Sequence, residues 1–205
     1  MQNNPRRRDF LKLSAVAFAG AGLDGSTTSA AGSANDKLVV GVIGCGGRGR
    51  HDAGLFKNTP NVEVAWVCDV DEGRRRKAAQ ELGIAEGKSA ADLRRVLDDK
   101  GVDAVIVTTP DHWHSPAAIL ACDAGKHVYV EKPISHNIRE GRLLVEAADR
   151  NKRLVQHGTQ VRSTSMIAQA VERLHSGIIG TVLVAKCWNI QRRGTIGHQR
   201  PSAPP

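Results

Sequence analysis

Short, nearly continuous apolar runs of strand length alternate along this chain with stretches whose apolar positions recur at helical spacing. Leu38, Val39, Val40, Val42 and Ile43 form the first run and lead into a glycine-rich turn and a helix. Val62 to Cys68 reads as a second strand, and Asp71 to Leu82 as the helix after it. Ser89 to Asp98 has the pattern of a short helix, and Val102 to Thr108 that of a third buried strand. A helix from about Ser115 to Ala124, closed by Gly125, leads to a fourth strand, His127 to Val130. Asn137 to Asn151 has the acid-to-base drift and apolar spacing (Ile138, Leu143, Leu144, Ala147) of an amphipathic helix, and Leu154 to His157 is a further short strand. Strands without polar alternation are buried on both faces, and strand-helix alternation supplies the crossovers between parallel neighbours. The pattern therefore predicts an α/β fold with a mostly parallel, doubly wound sheet. Beyond it, Met166 to Ser176 reads as helix, Gly177 and Gly180 break it, and Val182 to Ile190 reads as a strand with no partner left in the chain.

The turn after the first strand carries the chemistry. Gly44, Gly46 and Gly49 are spaced Gly-x-Gly-x-x-Gly between a strand and a helix. In that setting the first glycine permits the turn, the second lets backbone approach a pyrophosphate, and the third lets the helix pack close to the strand. The free amides at the helix start would then hold the diphosphate. Asp69 ends the second strand about 20 residues past Gly49, where a Rossmann unit places the acid for the adenosine ribose hydroxyls. NAD is accordingly preferred over NADP. Arg74, Arg75 and Arg76 offer charge for a 2′-phosphate, but on helical spacing at least one of three consecutive arginines faces water. Ligands of such sheets collect at the carboxyl ends of the strands, where Asp69, Thr108 to His114 and Glu131 to Pro133 would gather.

Composition changes this picture little. The formal charge of the 205 residues is +8, but no aromatic interleaving or nucleic-acid motif accompanies it, so no nucleic-acid partner is expected. Cys45, Cys68, Cys122 and Cys187 include no CxxC pair and no metal-ligand spacing, so no metal site is expected. Buried free thiols are the simpler expectation, while a Cys45–Cys68 disulfide stays open because both fall near the ends of neighbouring strands. Residues 1–34 differ from the rest: Arg6, Arg7 and Arg8, then Asp9, Phe10, Leu11 and Lys12, a moderately apolar run from Leu13 to Leu23, and a small-residue stretch from Gly25 to Ala34. That order is a signal peptide's, the apolar run is too short to span a bilayer, and RRDFLK resembles the twin-arginine export signal. The chain is expected to be exported and periplasmic, with membrane contact only through that signal.

The segments GVIGCGGRGR, VCDVDEGRR, VIVTTPDHWHSPAAI, GKHVYVEKPISHN and VQHGTQVRS together resemble the Gfo/Idh/MocA oxidoreductases, specifically their twin-arginine-exported branch. The resemblance covers about residues 6 to 190. It implies a twin-arginine signal over 1–34, an NAD(P)-binding Rossmann domain over 35–158, and from 159 to 205 the start of an α/β substrate domain that this chain does not complete. It also implies hydride transfer on a sugar, cyclitol or related polyol, and a full-length form that is a homo-oligomer. By residue, Gly44, Gly46, Gly47 and Gly49 match the diphosphate loop and Asp69 the ribose acid. Thr109, Pro110 and His114 match a loop near the nicotinamide ribose in which Asp111 replaces the usual Asn, turning a donor-acceptor amide into an acceptor only. Glu131 and Lys132 match the EKP pair, in which Lys132 is similar to the catalytic residue that hydrogen-bonds the reacting hydroxyl. Gln160 and Arg162 match a polar turn near the cofactor, and His112 and Trp113 are secondary candidates for walling the pocket or stacking on sugar. Two other readings remain: an NAD-assisted glycoside hydrolase, which shares these motifs, and a non-catalytic nucleotide-binding remnant.

Overall fold

The computed structural model describes residues 37–188 and 190. Six strands form one parallel sheet: β1 (Leu38–Ile43), β2 (Val62–Cys68), β3 (Ser89–Ala90), β4 (Ala104–Val107), β5 (His127–Glu131) and β6 (Val155–Gly158), in the order β3-β2-β1-β4-β5-β6. Between and after them run α1 (Gly47–Lys57), α2 (Glu72–Leu82), α3 (Arg94–Leu97), α4 (His114–Asp123), α5 (Ile138–Asn151) and α6 (Ser165–His175). The order reverses at β1, which pairs with β2 on one side and β4 on the other. Both sheet faces are covered, as parallel strands require. Val40, Val42, Val64, Val67 and Ile106 pack with Ala53 of α1 and with Ala78 and Leu82 of α2. Ile43, Trp66, Val105, Val107, Val128 and Val130 pack on the opposite side with Val96 of α3, Ala117 and Ala121 of α4, and Leu144 and Ala147 of α5.

Local chemistry sets the helix ends. The Asp71 side chain accepts from Arg74 N at 2.9 Å to start α2, and Gly83 closes it in the left-handed region. Asn137 accepts from Glu140 N at 3.0 Å while His136 N donates back to the Glu140 carboxylate at 3.3 Å, a reciprocal cap on α5.

A part-buried polar cluster gathers on Asp99. Lys88 Nζ and Trp66 Nε1 both donate to Asp99 Oδ2 at 2.7 Å, and Gly101 N donates to Oδ1 at 2.8 Å. Lys126, 4% exposed, donates to the Asp99 and Val102 carbonyls at 2.7 Å. The Lys88 hydrogen bond, then those from Trp66 and Gly101, hold the Asp99 carboxyl well below the usual carboxylate range. A carboxyl depressed in the folded state stabilises the fold above its unfolded pKa, and that stabilisation fades as pH falls through and below about 4. Asp99→Ala should therefore cost about 1–3 kcal/mol at pH 7, because the buried indole N–H loses its acceptor. The deficit should narrow at pH 3; urea midpoints at the two values measure it.

Two expected elements differ. Residues 89–98 are not one helix: Ser89 and Ala90 pair with Val67 and Cys68 as β3, and only Arg94–Leu97 are helical. The strand expected over Val182 to Ile190 does not form among the described residues. Residues 182–188 and Ile190 are irregular and exposed, consistent with a segment that has no neighbouring strand to satisfy its backbone. The signal expected over 1–34 lies outside the described residues. Among the described residues, no helix is long and apolar enough to cross a membrane.

Candidate dinucleotide site

The carboxyl end of β1 turns at Gly44, whose φ of 95° suits glycine, and a side chain there would meet Thr108 C and Thr109 N at 2.7 Å. Thr108 Oγ1 donates to Gly44 O at 2.6 Å, so the glycine turn and the end of β4 are fastened together. A Cβ on Gly49 would overlap Gly44 O and approach Thr108 Oγ1 to 2.6 Å, the close helix-strand packing expected of the third glycine. Gly46 is the N-cap of α1 and has no side-chain cap, while no protein atom lies within 4 Å of a Cβ built on Gly46 or Gly47. The first amides of α1 therefore stay free for an anion, with open space in front of the backbone.

Asp69 is held rather than free-standing. Its Oδ2 accepts from Cys45 N at 2.6 Å and its Oδ1 from Asp71 N at 2.9 Å. A carboxylate has about four lone-pair sites, so two remain for ribose hydroxyls. Arg75 donates to Asp69 O at 2.8 Å, Arg76 pairs with Glu72 at the exposed surface, and Arg74 lines the cavity. That cavity, of about 730 Å3, is bounded by Gly44, Gly46, Asp69, Thr109, Pro110 and Trp113, among others. It extends to Ala91, Asp92, Leu93 and Arg94 after β3, and His112 and Trp113 line it as well. Thr109 Oγ1 is buried and without a partner, a hydroxyl that a bound ligand could satisfy. The open glycine amides, the oriented Asp69 and this hydroxyl fit a dinucleotide.

Of the remaining expected residues, Glu131, Lys132 and Gln160 gather outside that cavity with His114 nearby, while Arg162 stands apart. His114, 2% exposed, sets Nδ1 2.6 Å from Pro133 O and Nε2 2.7 Å from Thr109 O, tying the segment after β4 to the segment after β5. Glu131, 3% exposed, accepts from Arg48 Nη2 at 2.7 Å, Gln160 Nε2 at 3.4 Å and Lys132 N at 3.1 Å. Lys132 itself is exposed at the end of β5. Gln160 adopts φ 54° and directs its amide to Glu131, whereas Arg162 is exposed beside α6. Arg48 was not singled out in the sequence, although a cation inside the glycine motif was its visible signal. The Ala91–Arg94 wall had no local signal, because the two-residue pairing of β3 with β2 places it.

The expected alternative of a Cys45–Cys68 disulfide is not what the structure shows. Both thiols are free, Cys45 Sγ donates to Cys68 O at 3.4 Å, and burial, then Asp69, pushes both up to about 12. Cys122 is also buried and free, but Cys187 is exposed.

The profile of the Gfo/Idh/MocA oxidoreductase family, NAD-binding Rossmann fold, matches residues 38–159. The chain belongs to this family. Among relatives, it is 34% identical over 149 residues to inositol 2-dehydrogenase of Salmonella typhimurium, covering 72% of this chain and 44% of that protein. It is 31% identical over 210 residues to a glycosyl hydrolase family 109 protein of Saccharopolyspora erythraea, covering 89% of this chain and 45% of that one. A crystal structure of an NAD binding oxidoreductase from Klebsiella pneumoniae superposes with TM-score 0.63 at 29% identity, over 70% of this chain and 40% of that chain. The chain thus spans under half the length of the curated Gfo/Idh/MocA relatives it matches.

Proposed function

We propose that this chain supplies the NAD site and the acid-base lysine of an oxidoreductase that transfers hydride to or from a sugar, cyclitol or related polyol. The convergence of Gly44, Gly46, Asp69 and Thr109 on one cavity at the strand-order reversal carries the reading, and the inositol dehydrogenase relatives support the substrate class. NAD, when bound, supplies the hydride acceptor. The amides at the start of α1 hold its diphosphate, Asp69 accepts from the adenosine ribose, and Lys132 hydrogen-bonds the reacting oxygen and moves its proton. A second reading, NAD-assisted glycoside cleavage, is favoured by the breadth of the family 109 match, which reaches 89% of the chain. Accumulation of an oxidised polyol with NADH separates the first from a hydrolysed glycoside without net redox change. Export through the RRDFLK segment and assembly into a homo-oligomer belong to the same proposal.

Calorimetric titration of the chain with NAD and NADP tests the cofactor site. NAD should bind more tightly, since Asp69 accepts from a 2′-hydroxyl and repels a 2′-phosphate. Asp69→Ser should erase that preference and weaken NAD as well, because the Cys45 amide loses its carboxylate acceptor. Equal affinity for NADP in the unaltered chain would overturn the assignment.

A further inference from the structure

Arg48 stands between Gly47 and Gly49, where a cation would be expected to turn toward an anionic ligand. Instead two carboxylates hold it. Nη2 donates to Glu131 Oε1 at 2.7 Å, and Nε lies 3.1 Å from Asp52 Oδ2, a contact outside hydrogen-bond alignment. Both carboxylates are almost fully buried, Asp52 at 2% and Glu131 at 3% exposure. Burial, partly offset by Arg48, pushes the Asp52 carboxyl above its usual range. A half-exposed arginine held by two buried acids is not placed there for surface solubility; removing it would leave both acids uncompensated.

The far end of this bridge matters more. Glu131 Oε2 accepts the backbone N–H of Lys132 at 3.1 Å, and Gln160 braces the same oxygen at 3.4 Å. One carboxylate therefore joins a side chain of the diphosphate turn to the backbone of the lysine. Gly158 beside it leaves no slack, since a Cβ there would come within 2.9 Å of Glu131 Oε1 and 2.6 Å of the Tyr129 hydroxyl. His114 fixes the next residue, Pro133, through its carbonyl. Lys132 thus departs from a stem held on three sides, and the only one of those holds that originates in the cofactor turn is Arg48.

We infer that Arg48 is a positioning residue for Lys132, transmitting the placement of the glycine turn to the lysine through Glu131. The inference rests on the reading of Lys132 above but not on its success, because the stem can be measured without cofactor. Acetylation of the 205-residue chain by a limiting N-hydroxysuccinimide ester, read by peptide mass spectrometry, gives the rate at Lys132 relative to exposed Lys77 in the same digest. Arg48→Met should change that ratio by about threefold or more, Glu131→Gln should change it in the same direction, and Arg48→Lys should restore part of it. A pair that served stability alone would lower the melting temperature of these variants and leave the ratio of the folded protein unchanged. Since Arg48→Met strands two buried acids, Glu131→Gln, which keeps shape and an acceptor for the Lys132 amide, decides the matter if the arginine variant does not fold. An unchanged ratio in folded Glu131→Gln overturns the inference. Repeating the labelling with NAD adds a second arm: NAD should shift the ratio in the unaltered chain and shift it less in Glu131→Gln. If the unaltered chain binds no NAD by calorimetry, the proposed function falls, while the cofactor-free ratio still decides the role of Arg48.

Discussion

Gly49→Ala should weaken NAD binding by more than about tenfold while leaving most of the sheet folded. The added carbon points at Gly44 O and Thr108 Oγ1, and the first of these is backbone that cannot swing aside. Overpacking of this kind costs about 1–3 kcal/mol where neighbours can yield, and here the yielding part would be the turn that carries the cofactor amides. Displacing α1 breaks the Thr108–Gly44 fastening at 2.6 Å and the Cys45–Asp69 hydrogen bond at 2.6 Å together. An affinity loss of more than about tenfold by calorimetry, with far-ultraviolet dichroism close to that of the unaltered chain, is the expected pair of results. Gly46→Ala is the control, because a Cβ there meets no protein atom within 4 Å. It should keep the melting temperature and lose affinity only by intruding on the ligand.

Lys132→Ala should reduce polyol turnover by roughly 10²-fold or more in a protein that carries these residues and oxidises a polyol, as expected for loss of a positioned proton-transfer group. NAD affinity should change far less, since Lys132 lies outside the cavity bounded by Gly44, Asp69 and Thr109. Its exposure at the end of β5 also means that alanine leaves no cavity and should not disturb the core. Stopped-flow reduction of NAD under single-turnover conditions separates a chemical defect from slow product release. Full activity in the alanine variant would reassign Lys132 to a surface role.

Much of the fold was legible because β1 and β4 are apolar throughout, β2 nearly so, and the glycines carry their positional meaning with them. Gly44, Gly49 and Asp69 sit as their spacing required, and Asn137 caps α5 where the amphipathic pattern began. What was not legible depends on partners distant in the chain. Ser89 and Ala90 become a strand only because Val67 and Cys68 offer an edge, while local spacing in residues 89–98 favours helix. The apolar residues from Val182 onward have strand-like spacing, but spacing records which face wants burial and not whether a neighbour exists to bury it. Within the site, the Arg48–Glu131 pair joins residues 83 apart in sequence, and nothing local to either residue announces the other. His114 was expected beside the cofactor; its two ring contacts instead go to backbone carbonyls and tie the segments after β4 and β5 together.

The unequal surroundings of the four cysteines make the chain a ready substrate for single-dye attachment. Burial pushes the Cys45 and Cys68 thiols up to about 12, which would leave roughly one part in 10⁵ ionised at neutral pH, and Cys122 is likewise buried and pushed up. Cys187 is exposed. A maleimide fluorophore at pH 7 should thus mark Cys187 alone among the four, with no cysteine replaced and with both thiols beside Asp69 left in place. That gives a reporter on the segment after α6 whose polarisation follows ordering of that segment, in the same sample in which nucleotide occupancy is read by heat.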